Sequence, residues 1–204
     1  MEAQTELWLS VAGQLYRREK LEEFVQAKGV YATEMWQHLQ PTALQFIQVV
    51  TGQAQSPASV AVCINRLLKS PLNTLPDAIR QQLATLIANT FYLGMGTQMY
   101  IFNCPARAKC KHTDITKFVK EWEVMAMGAD QILEGHGDAN AAFVKNIGER
   151  HFDVEVRPFL EKKLGLGGFM GAIRMGKIES FFRNLYYAGI ALVMRCEIEA
   201  QQMG

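Results

Sequence analysis

Residues 165–180 read GLGGFMGAIRMGKIES, and how they are read decides the fold. Gly171-x-x-x-x-Gly176-Lys177 supplies most of a phosphate-binding loop, which would make the chain an α/β nucleotide protein. Such a loop follows a buried strand and ends in a Ser or Thr whose hydroxyl completes a Mg²⁺ shell. Here Ile178 occupies that position, and Arg157 to Leu164 form a charged stretch, not an apolar strand. The dinucleotide pattern fails as well, because Gly165-x-Gly167 leads to Met170 where a third glycine is needed.

A helix accounts for the same residues. At about 100° per residue, Ile178, Phe182, Leu185, Gly189, Leu192 and Cys196 fall on one apolar stripe. Gly168, Ala172, Gly176 and Ser180 are spaced by four, which would let a second helix come close. The stretch is therefore a loop entering a long, closely packed C-terminal helix. Residues 185–194, LYYAGIALVM, carry no charge on any face. Tyr187, Ile190 and Met194 lie off the main stripe, so this second face is either buried centrally or meets a partner.

The rest of the chain repeats the helical pattern. Leu7, Val11, Leu15, Leu21 and Val25 predict a helix over 5–28, closed by Gly29. A helix over 31–39 should stop before Pro41, with another through Leu44, Ile47 and Val50. Ser56-Pro57, Thr74-Leu75-Pro76, Thr113-Asp114 and Asp138 mark further helix starts. Only Phe152, Val154 and Val156 alternate with Asp153, Glu155 and Arg157 as a strand would. A lone strand has nothing to pair with, so this segment is expected to be a loop or a frayed helix join.

Residues 81–106 contain no charged side chain. Gln81, Gln82, Asn89, Thr90, Thr97, Gln98 and Asn103 interrupt the run, so no membrane span is expected. It is expected instead to be a central helix, about 76–103, surrounded by its neighbours. Gly94 and Gly96 in its middle imply close approach of another helix or of a ligand. The fold expected is all-α, one domain over 1–204, with about six to eight helices around the central one.

The 204 residues are 49% apolar and 20% charged, enough for a sizeable core. Lys and Arg number 21 against 20 Asp and Glu, a balance that argues against nucleic-acid binding. The N-terminus lacks a secretory pattern, and the four cysteines form no dense framework. Reduced thiols in the cytoplasm are the expectation. Cys104, Cys110 and His112 are chemically suited to Zn²⁺, but their spacing is not a common one and a fourth ligand would be distant. Cys63 and Cys196 sit at apolar positions and read as core.

The loop around the first two of these ligands is basic, with Arg107, Lys109, Lys111, Lys117 and Lys120. An acidic run follows it, opposite to what a helix dipole favours, so the loop is a candidate surface for an acidic or helical docking segment. No nucleophile stands beside a base, and no cofactor is expected. His136, between two glycines, is the best lone imidazole.

The leading expectation is a non-enzymatic interaction module, a subunit or adaptor of a larger assembly. Its partner contacts would be the basic loop together with Tyr187, Ile190 and Met194, and a homo-oligomer is compatible with it. The alternative is a binding protein for an apolar or planar small molecule. That site would be lined by Tyr92, Gly94, Met95, Gly96, Gln98, Met99 and Tyr100. An enzyme whose site assembles only in space is the third.

Overall fold

The structure is a computed structural model describing residues 18–50, 76–101, 134, 136–165 and 169–202. Its elements are α1 (Arg18–Lys28), α2 (Val30–Val50), α3 (Asp77–Ile101) and α4 (Asp138–His151). A π-helical turn (Phe152–Val156), α5 (Arg157–Lys163) and α6 (Phe169–Gln202) complete them. No strand occurs among the described residues, so the chain is all-α. The expected six to eight helices are not reached there. The α4, π and α5 segments run without a break, which leaves five rods.

The most extensive contact is between α3 and α6. Gly94 lies against the Tyr186 carbonyl and the Ile190 amide, while Gly189 lies against the Phe91 carbonyl and the Met95 amide. A Cβ at either position would collide with backbone, so each glycine lets the other helix reach its main chain. Of the two possibilities for Gly94, the helix takes the space. The glycines expected to perform this role in α6 do not all do so. Gly176 is exposed, and a Cβ there meets nothing. The close approach lies farther along the helix, at Gly189.

Around this seam the core is continuous. Phe91, Met95, Phe182, Leu185, Tyr186 and Ile190 are fully or almost fully buried, and a side chain of this size contributes about 1.5–3 kcal/mol on burial. Helix α2 covers one side through Phe46 on Phe91, ring centroids 4.6 Å apart, and Trp36 near Tyr92 at 6.0 Å. On α4, the Tyr186 hydroxyl donates to the Val144 carbonyl at 2.8 Å, and its ring lies over Gly148.

Two local expectations need correction. Helix α2 does not stop before Pro41 but runs through it to Val50. Pro41 and Gln37, whose carbonyl loses its ring-side donor, are both exposed, so water can satisfy that carbonyl. The alternating segment 152–156 is neither strand nor loop but a π turn within a continuous helix. Phe152 and Val156 point inward while Asp153, Val154 and Glu155 face out. The wider turn keeps both apolar residues on the core side. Arg157 then ties this rod to α6, with Nε donating to Glu179 at 3.0 Å and Nη1 to Asp153 at 2.7 Å.

Candidate functional site

Two places in the fold hold polar groups that packing alone does not explain. The first is an open groove of about 630 Å³ between α3 and the π–α5 rod. On the α3 wall, Gln81, Gln82, Thr85 and Asn89 face it, with Leu86 on the apolar floor. The amides of Gln81, Gln82 and Asn89 make no hydrogen bond among the described residues. Thr85 donates to its own helix, at the Gln81 carbonyl, and keeps its oxygen lone pairs available.

Opposite stand Val154, Phe159, Glu155, Lys162 and Lys163. Val154 is 54% exposed, which among the described large apolar side chains only Val30 exceeds. Lys162 and Lys163 have no ion pair among the described residues. Behind the groove, the Thr90 hydroxyl donates to the Leu86 carbonyl at 2.7 Å and meets His151 Nε2 at 2.8 Å. With that hydroxyl hydrogen spent, the ring donates from Nε2. Burial lowers the His151 pKa to about 4, so the imidazole is neutral near pH 7 and serves as a brace between α3 and the rod.

The second place is a buried polar junction at the C-terminal end of α3. His136 Nε2 and Gln98 Oε1 are 2.6 Å apart, and Gln98 Nε2 donates to Glu197 Oε2 at 2.9 Å. Gly137, at φ 71, turns the chain just after His136. Lys28 donates to the carbonyls of Met99 and Tyr100, the latter at 3.0 Å, and so caps the end of α3. Glu197 is 4% exposed, and its Oε1 is buried without a partner among the described residues. Burial pushes its pKa up to about 8; the Gln98 hydrogen bond and the Lys28 charge oppose the rise. At pH 7 the group is mainly a neutral acid.

The residues expected from sequence divide accordingly. Gln98 enters the junction, together with His136. Tyr92, Gly94, Met95, Gly96 and Met99 are buried, and Tyr100 is half-buried between Phe24 and Phe143 at 5.9 and 5.5 Å. Ile190 has no exposed surface and belongs to the seam, while Tyr187 and Met194 are half-buried. Arg107, Lys109, Lys111, Lys117 and Lys120 lie outside the described residues, as do Cys104, Cys110 and His112. No group of metal-ligating side chains occurs among the described residues.

Sequence reasoning missed Glu197 and the groove. Glu197 follows Tyr186, Ile190 and Val193 at helical spacing, all buried, and that register was the available signal. The groove had only half a signal, an apolar Val154 among charges, because its other wall lies some seventy residues earlier in the chain. No family model, characterised protein or solved structure matches the chain.

Proposed function

We propose that the chain is an interaction module that holds a segment of a partner protein in the groove between α3 and the π–α5 rod. The observation carrying this reading is the set of idle polar groups there: three carboxamides and two lysines, without partners among the described residues, around an exposed apolar residue. Groups on a merely solvated face need no shared concavity, whereas a polar rim around an apolar floor is how recognition surfaces are built. The test is the native mass of the complex isolated from its own cell, for wild type and for Val154→Asp with Lys162→Glu. A stoichiometric partner lost from the folded variant supports the groove. A partner retained by the variant moves the surface elsewhere, and a bare monomer removes the interaction reading.

One observation favours the small-molecule alternative: the lone Glu197 Oε1 beside Gln98 is a buried polar atom that a bound group would satisfy. Solvent extraction of the purified chain, with Glu197→Gln beside wild type, tests it. A stoichiometric compound in wild type alone supports it, and none in either overturns it.

A further inference from the structure

We infer that the groove takes an extended peptide, read through its main chain, with an acidic residue at one end, a basic residue about four positions away and an apolar one between. The inference rests on the interaction reading above and adds the conformation and chemistry of the occupant.

The conformation follows from the α3 wall. Gln81, Thr85 and Asn89 are four residues apart, so they recur about every 6 Å along one side of the helix. An extended chain presents same-facing backbone groups about every 6.6 Å, two residues at 3.3 Å each. Across the three positions the two repeats drift apart by only about 1 Å, within reach of flexible side chains. Carboxamides both donate and accept, so they can pair with main-chain N–H and C=O alike. Two such amides, Gln81 and Asn89, with the accepting Thr85 oxygen between them, suit a strand-like backbone. A docked helix would offer them no main-chain partner, since its own N–H and C=O groups are already paired.

The chemistry follows from the other wall. Glu155 and Lys163 are eight helical residues apart, about 12 Å along the rod, which an extended chain covers in about four residues. The Thr90–His151 bond fixes one end of the two walls, which places Asn89 toward Glu155 and Gln81 toward the lysines. An acidic side chain meets the Lys162–Lys163 end, and a basic one meets Glu155. Between them Leu86, Val154 and Phe159 receive an apolar side chain. Opposite charge at the two ends also fixes which way the peptide runs.

The probe is a display library of random twelve-residue peptides, selected on the full chain. Selected peptides are then measured against wild type and against Lys162→Glu/Lys163→Glu, a double change at exposed positions that leaves the core untouched. The expected consensus is acid and base about four apart around an apolar residue, and the double variant weakens binding about tenfold or more. N-methylation along a selected peptide should weaken binding at alternate residues. A loss recurring every three to four residues, or a consensus without the charges, overturns the inference. So does binding indifferent to the double variant. The interaction reading is judged separately, on the native complex: it leaves the groove if a partner survives Val154→Asp with Lys162→Glu, and it fails if the native chain is a bare monomer.

Discussion

Gly94 on α3 and Gly189 on α6 are reciprocal notches: each is the point where the other helix lays its main chain against it. Tyr186 O and Ile190 N press on Gly94, and Phe91 O and Met95 N press on Gly189. Backbone cannot rotate aside as a side chain can, so either glycine changed to alanine must push the helices apart. Gly94→Ala or Gly189→Ala should each destabilise the fold by about 1–3 kcal/mol or more. Gly176→Ala is the control, since open space at an α6 position makes the change neutral or stabilising by up to about 1 kcal/mol. Urea unfolding of the three variants checks this, and equal effects at 94 and 176 would dissolve the notch.

Pro41 gives a change of the opposite sign. It sits inside α2 on an exposed surface and contributes no amide hydrogen to the helix. Pro41→Ala should restore that hydrogen bond and raise stability by up to about 3 kcal/mol, the helix-interior difference between the two residues. A lowered midpoint in the same urea titration would mean that the ring holds a bend the packing of α2 requires.

Both helices of the seam were legible in the sequence as buried, through their uncharged stretches and internal glycines, but their pairing was not. What periodicity does not encode is which glycine meets which backbone. Spacing pointed to Gly176, in the row of small residues four apart, and put Gly189 only on the apolar stripe, yet the crossing point of α6 over α3 falls at Gly189. The π turn was misread for a related reason. Phe152 and Val156, four apart, fit one helical face, and it is the exposed Val154 between them that makes the segment look alternating. Pro41 was read from local backbone chemistry, and tertiary packing overrode it. The buried junction needed a residue from the far end of the chain, Glu197, to give His136 and Gln98 a common purpose.

Cys196 reads from sequence as a reduced core thiol, yet it is disulfide-bonded as well as buried. The other three cysteines lie outside the described residues. The expectation of reduced thiols is therefore corrected at this position, and with it goes the support those thiols lent to a cytoplasmic setting. Alkylation in denaturant without reductant should leave Cys196 unmodified, and prior reduction should expose it. Peptide mass mapping reads the difference directly. Full modification without reductant would show a free thiol.

Two buried groups give stability a pH profile of unusual shape. Glu197 titrates near 8 in the folded chain against an ordinary 4.5, so folding binds a proton, and its contribution is lost as pH rises through that window. His151 titrates near 4 against an ordinary 6.5, so its contribution is lost as pH falls from 6.5 toward 4. Between about 4.5 and 6.5 the unfolded chain holds the histidine proton and the folded chain holds the glutamic one. These cancel, and the two groups together leave stability flat there. From 6.5 to 8 only Glu197 differs, and stability should fall by about 1.4 kcal/mol per pH unit. Glu197→Gln keeps a neutral group in place and should remove that decline, while His151 and Thr90 stay as they are. Urea midpoints for both chains from pH 4.5 to 8.5 make the comparison. A wild-type curve that stays level from 6.5 to 8, or a decline that survives Glu197→Gln, would mean that Glu197 is ionised in the folded chain and that its buried oxygen has found a partner.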